Sequence, residues 1–208
     1  MFADRIDAGR QLAQALAKYR AADAVVYALP RGGVVLGYEV ATALGAPLDL
    51  AIARKIGHPH NPEYAVCAVT EDGPLICDEA ELGFLDKVWL AEAVERERQE
   101  AKRRRAAYLT GRSRISPAGK TAILVDDGIA TGLTIRAALA SLRKEKPAKV
   151  VVAVPCAGAD VTAMLRREAD EVIVLTNEEE YQGAVGAYYE KFPQVTDAEV
   201  IALLAKTV

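Results

Sequence analysis

Two adjacent carboxylates, Asp126 and Asp127, stand directly before Gly128-Ile129-Ala130-Thr131-Gly132, a loop of small residues apart from Ile129. A loop of this kind lets backbone N–H groups converge on an anion, and a helix that opens behind it adds the positive end of its dipole. Carboxylates beside the loop cannot themselves hold phosphate. They can accept hydrogen bonds from a sugar diol, or hold Mg²⁺ directly or through water. Together the parts describe a pocket for a ribose 5-phosphate. The plainer reading is a strand whose exposed end is acidic, since Asp-Asp-Gly is also good turn chemistry.

Two further stretches carry cations. Pro30-Arg31-Gly32-Gly33 offers glycines that let amides approach oxygen closely and an arginine for charge-assisted bonds. It suits a second phosphate group, and its alternative is an ordinary turn with a surface arginine. Arg54-Lys55 precedes Gly57-His58-Pro59-His60-Asn61-Pro62. Such a pair can neutralise charge on a leaving pyrophosphate, or simply solubilise a strand end. His58 and His60 have no carboxylate cluster beside them and read as loop residues rather than metal ligands.

Positioning these groups requires buried strands that end in tight loops. Ala122 to Val125 is apolar without alternation, as in a strand covered on both faces of a parallel sheet. An amphipathic segment follows, with Ile135, Ala138, Leu139 and Leu142 at helical spacing and Thr131 as the expected N-cap. Ala24 to Leu29 is a second such strand, running through the Arg31 loop into a helix over Val34 to Leu44 that Gly45 closes. Loops at the carboxyl ends of parallel strands share one edge, where ligands bind. Two anion loops on one edge suit a ligand with two separated phosphate groups.

Leu48 to Ala53 reads as a third strand with Arg54-Lys55 at its end. Glu63 to Thr70 and Leu75 to Cys77 read as a hairpin around Glu71-Asp72-Gly73-Pro74. Asp86 to Leu109 is a long helix containing ERERQEAKRRR, whose acid-to-base pairs at helical spacing describe a solvated face rather than a nucleic-acid surface. Lys149 to Val154, Val161 to Arg167 and Glu171 to Leu175 continue as strand, helix and strand. The N-terminal helix, Asp4 to Lys18, is expected to turn Ile6, Leu12, Ala15 and Leu16 inward, capped by Asp4 or Asp7. The last helix opens with Thr196 and Glu199 in a capping-box pattern.

The stretch Val125-Asp126-Asp127-Gly128-Ile129-Ala130-Thr131-Gly132-Leu133-Thr134 resembles the ribose-phosphate motif of type I phosphoribosyltransferases: an apolar strand, two acids, a small loop ending in Thr-Gly, and a further hydroxyl residue. The resemblance implies that Asp126 and Asp127 hold the ribose 2′- and 3′-hydroxyls. It implies that residues 128–132, with the Thr131 and Thr134 hydroxyls, wrap the 5′-phosphate. Arg31, Gly32 and Gly33 would then form the pyrophosphate loop, and Arg54 and Lys55 the foot of a mobile lid. The implied donor is 5-phosphoribosyl 1-pyrophosphate, the implied cofactor Mg²⁺ at Asp126 and Asp127, the acceptor a base of unknown identity and the assembly a homodimer. Arg31, Lys55, Asp126 and Asp127 are the expected catalytic groups, Asp127 also as a weak acid or base.

Composition suits α/β layers better than a β-sandwich. The chain has 208 residues, enough for one domain, and aromatics are sparse at 6%. A net charge of −3 gives no global attraction to nucleic acid or anionic membrane, and no apolar run has the length of a membrane span. The N-terminus lacks the pattern of a signal peptide, and Cys67, Cys77 and Cys156 are in no metal spacing, so reduced thiols in a cytoplasmic protein are expected. The expected fold is α/β, a mainly parallel sheet flanked by helices. Its core spans about residues 20–70 and 119–176, an insertion with a small β-hairpin lid and long helix about 71–118, and a C-terminal hood about 177–208. Two other classes compete with the enzyme. One is a sensor that binds the sugar diphosphate or a nucleotide to regulate gene expression, with Arg96 to Arg105 as partner surface. The other is a phosphoacceptor receiver domain, in which the acid pair would lie near the chain start.

Overall fold

The computed structural model describes residues 1–207; Val208, the last residue of the expected hood, lies outside the described residues. Five strands form a parallel sheet: β1 (Ala24–Ala28), β2 (Leu48–Leu50), β6 (Thr121–Val125), β7 (Lys149–Val154) and β8 (Glu171–Val174), in the order β2-β1-β6-β7-β8. Side chains alternate between its faces, and both are covered. Val26, Ile123 and Val151 pack against Leu12 of α1 (Arg5–Ala15), Leu36 and Val40 of α2 (Gly33–Leu44), and Leu204 of α7 (Asp197–Leu204). Tyr27, Leu124 and Val152 face Ile135, Leu139 and Leu142 of α5 (Leu133–Lys144) and Leu165 of α6 (Ala159–Glu168). Each such fully buried aliphatic side chain contributes about 1.5–3 kcal/mol relative to exposure. This is the α/β architecture that the continuous apolar runs predict.

A second sheet is antiparallel, with β3 (Ala53–His58), β4 (Asn61–Thr70) and β5 (Ile76–Cys77) in sequence order. It lies between two helices. Ile56, Val66 and Val69 pack against Ala93 of α4 (Lys87–Tyr108), while Ala68 meets Leu133 and Ala137 of α5. A single turn, α3 (Glu79–Leu82), precedes α4.

Four local expectations are corrected. The run from Leu48 to Ala53 is not one strand: β2 stops at Leu50, Ala51 and Ile52 cross over, and β3 pairs only with β4. Burial continues through the crossover, so the apolar pattern shows no break. Arg54 and Lys55 therefore lie within β3, not at the end of a core strand. The N-cap of α5 is Gly132 at φ +80°, without a side-chain cap bond, and Thr131 is exposed; the left-handed entry to the helix demands glycine there. On α1 the inward face carries Arg5, Ala8, Gly9, Leu12 and Ala13, with Ile6 42% exposed and Asp4 as cap. Cys67 and Cys77 are not separate thiols. They stand opposite each other on β4 and β5 and are joined by a disulfide, leaving Cys156 free and buried.

Other boundaries agree with the pattern to within a few residues, including the capping box at Thr196 and Glu199. No helix among the described residues is long and apolar enough to cross a membrane.

Candidate functional site

In the central sheet Ala28 pairs with Val125, so β1 and β6 end level and their loops leave from the same edge. The loops meet. A Cβ on Gly33 would lie 2.9 Å from Asp126 Cα, and one on Gly32 would lie 1.9 Å from Asp127 Oδ2. The two glycines are thus required by the acid pair packed over them.

Beyond β6, Ile129 N donates to Cys156 O at 2.9 Å, tying the loop to the segment after β7. The amides of the first turn of α5 have no intrahelical partner, and no side chain caps the helix. The loop and this turn line a cleft of about 200 Å³ with Asp126, Gly128, Ile129, Ala130, Thr131, Gly132 and Thr134; Lys55 and Val185 contribute from the small sheet and the C-terminal tail. A larger cleft of about 480 Å³ adjoins it, sharing Thr131 and Leu133 and lined by Tyr64, Cys77, Arg136 and Arg167. The smaller one gathers a carboxylate, free amides, two hydroxyls and a lysine.

The two acids have different surroundings. Asp126 lines the cleft, and its Oδ1 accepts a hydrogen bond from Asp127 N at 2.9 Å. Burial, reinforced by the charge of Asp127, holds the Asp126 pKa well above the ordinary carboxyl range. Asp127 is not among the residues lining the cleft. Its Oδ2 accepts from Arg5 Nε at 2.8 Å, and its backbone carbonyl accepts from Tyr189 OH at 2.6 Å. Below the pair sits Cys156, whose thiol is pushed up to about 12 by burial and then by the charges of Asp127 and Asp126.

The remaining expected cations have acidic partners. Arg31 Nη1 lies 3.4 Å from Asp197 Oδ1, which also accepts from Tyr108 OH at 2.7 Å. Arg54 pairs with Glu97 of α4 at 3.0 Å. Lys55 pairs with Glu63 at 3.0 Å across exposed surface, yet also lines the cleft. The structure therefore gathers Asp126, Lys55 and residues 128–134, backs the acid pair with Gly32 and Gly33, and directs Arg31 and Arg54 toward α7 and α4. His58 and His60 occupy the β3–β4 hairpin, their rings 5.6 Å apart.

Sequence reasoning misses Arg5, Val185 and Tyr189 at the site. Arg5 has one usable signal: it continues the inward stripe of Ala8, Gly9 and Leu12 by one helical step. The tail aromatics Tyr189 and Phe192 belong to the expected hood, without any indication of which reaches the acids.

In open α/β sheets ligands bind outside the carboxyl ends of the strands, the edge that the acid pair and small loop share here. Comparison with known proteins gives the family. Residues 3–192 match the phosphoribosyl transferase domain, and the chain belongs to that family. It is 44% identical over 206 residues to a Mycobacterium tuberculosis H37Rv protein named "Putative phosphoribosyl transferase Rv0571c", with the same identity to its counterpart in strain CDC 1551. Those alignments cover 98% of this chain and 46% of each relative, so the chain spans about half the length of the curated relatives it matches. The crystal structure of TT1426 from Thermus thermophilus is 42% identical, with a TM-score of 0.83 over 99% of this chain and 98% of that one.

Proposed function

We propose that this chain binds 5-phosphoribosyl 1-pyrophosphate in the smaller cleft and transfers its ribose 5-phosphate to a nitrogenous base, releasing pyrophosphate. The observation that carries the reading is the convergence of Asp126, the loop amides with the Thr131 and Thr134 hydroxyls, and Lys55 on one cleft. Free amides at a helix N-terminus suit a terminal phosphate, and a carboxylate beside them suits sugar hydroxyls. Membership of the phosphoribosyl transferase domain family supports the reaction class.

In the reaction the bond from the anomeric carbon to pyrophosphate oxygen breaks, the electron pair leaves with pyrophosphate, and a bond to the acceptor nitrogen forms as its proton passes to the released pyrophosphate or to water. No covalent protein intermediate is needed. The loop and the acids hold the sugar so that the anomeric carbon faces the acceptor. Lys55 exchanges Glu63 for the departing diphosphate. Its pairing is solvent-exposed and so easily given up. Arg31 and Gly32, on the neighbouring loop, are assigned to the same diphosphate, which requires Arg31 to leave Asp197.

Asp126 and Asp127 are hard oxygen donors that fit Mg²⁺ as part of a coordination set. Among the described residues no group of three or more His, Cys, Asp or Glu side chains is gathered around one point, which suits an ion completed by substrate phosphates and water. When bound, Mg²⁺ would neutralise charge on the departing pyrophosphate.

The sensor reading needs a free basic face on α4. Arg103 and Arg104 both pair with Glu100, at 2.7 and 2.8 Å, and Arg98 donates to Gly73 O at 2.9 Å. These pairings partly neutralise the face that the sensor reading needs. The test is incubation with donor, Mg²⁺ and a panel of purines, pyrimidines and pyridine carboxylates, with pyrophosphate release as the readout. Release that depends on one acceptor is expected. Donor binding without release by any acceptor would favour the sensor.

A further inference from the structure

Arg5 has a placement that α1 itself does not explain. It is the first residue of the helix, where a cation opposes the helix dipole, and its side chain is only 10% exposed. Three contacts hold its guanidinium. Nε donates to Asp127 Oδ2 at 2.8 Å, Nη1 donates to Pro193 O at 2.6 Å, and the guanidinium carbon lies 3.7 Å from the centre of the Phe192 ring. The tail that supplies Phe192 and Pro193 also supplies Tyr189, whose hydroxyl donates to the Asp127 carbonyl. The two holding segments are themselves joined. Phe2 N donates to Tyr188 O at 2.8 Å, Glu190 N to Phe2 O at 2.9 Å and Lys191 N to Ala3 O at 3.1 Å.

Asp127 is therefore fixed at its side chain by the N-terminal helix and at its main chain by the C-terminal tail. An ionised carboxylate accepts on both oxygens. Arg5 engages Oδ2, and Asp127 Oδ1 accepts no hydrogen bond among the described residues. A charge-assisted bond from a planar guanidinium, itself stacked on an aromatic face, is a stiff support for a short acid.

We propose that Arg5 is a positioning residue of the donor site: it fixes the Asp127 carboxylate beside Asp126, with one oxygen engaged and the other left without a protein hydrogen bond, and it links that carboxylate to the C-terminal tail. The proposal rests on the donor reading above. Lysine would keep the charge but not the fork that reaches Asp127, Pro193 and the Phe192 face together, so the role is specific to arginine.

The experiment is calorimetric titration of the full chain with 5-phosphoribosyl 1-pyrophosphate and Mg²⁺, using wild type, Arg5→Ala, Arg5→Lys, Asp127→Asn and the Arg5→Ala/Asp127→Asn double variant, with thermal midpoints recorded beside each. Arg5→Ala is expected to weaken donor binding at least about tenfold and Arg5→Lys at least about threefold. Adding Arg5→Ala to Asp127→Asn should change binding less than about twofold, because the two residues act as a unit. Added ethylguanidinium should recover part of the binding lost by Arg5→Ala. Wild-type affinity in Arg5→Ala or Arg5→Lys overturns the proposal. So does an Arg5→Ala effect of the same size in both backgrounds, which would mark a general structural role. If Arg5→Ala fails to fold, Arg5→Lys decides alone. Failure of folded wild type to bind donor is a different result and contradicts the donor reading itself.

Discussion

Gly32 and Asp127 lie on the loops that follow neighbouring parallel strands and touch: a Cβ on Gly32 would stand 1.9 Å from Asp127 Oδ2, 2.7 Å from its Cγ and 2.9 Å from Arg5 Nε. The Asp127 carboxylate is held by Arg5 and can yield only by giving up that bond. Gly32→Ala should therefore separate Asp127 from Arg5, weaken donor binding at least about tenfold, and destabilise the fold by about 1–3 kcal/mol, the usual scale for overpacking. Gly83→Ala is the control, since Gly83 has right-handed helical dihedrals and nothing within 4 Å of a Cβ; it should change stability by less than about 0.5 kcal/mol. Chemical denaturation and donor titration of both variants check this. Equal behaviour of the two would refute the contact.

The central sheet is legible because its strands are covered on both faces, which forces unbroken apolar runs such as Ala24 to Ala28 and Ala122 to Val125. The loop after β6 is legible because small residues between a strand and an amphipathic helix have few other uses. What stays hidden depends on pairing, not on composition. The change from β2 to β3 occurs inside one apolar run, where the hydrogen-bond partner switches while burial continues. Arg5 meets Asp127 across 122 positions, and no local pattern can announce such a contact. The opposition of Cys67 and Cys77 follows from the register of β4 against β5, which a turn signal alone does not set.

Thiol counting tests that register. Cys67 and Cys77 are joined, and Cys156 is fully buried with its thiol pushed up to about 12, so its thiolate is scarce near neutrality. The native, unreduced protein should take up no iodoacetamide at pH 8, the unfolded unreduced protein one equivalent, and the unfolded reduced protein three. Mass spectrometry gives the count directly. Three equivalents without reductant would show that the disulfide is absent in solution.

Acid sensitivity should arise in part at the opposite end of the sheet. Glu171 accepts from Tyr19 OH at 2.6 Å and Lys149 Nζ at 2.9 Å, and Lys18 closes on its other oxygen. Burial raises its pKa, but the bonds from Lys18, Tyr19 and Lys149 outweigh that and hold it at about 2, below the ordinary 4.5. A carboxyl lowered in the folded state stabilises fully above its unfolded pKa and loses that contribution as pH falls through its folded pKa. Glu171→Gln should therefore cost about 1 kcal/mol near neutrality, a figure kept small by the cluster's partial exposure, and progressively less between about pH 4.5 and 2. Urea midpoints across that range read the difference. A gap that widens on acidification would contradict the assignment.

The most direct test of the central claim is calorimetric titration of the purified chain with 5-phosphoribosyl 1-pyrophosphate in the presence of Mg²⁺, beside a folded Asp126→Ala/Asp127→Ala double variant. The account predicts saturable binding by wild type and at least about a hundredfold weaker binding by the double variant, on the scale of about 1.4 kcal/mol per tenfold. No binding by folded wild type, or equal binding by the two proteins, would contradict the assignment of this cleft to the donor.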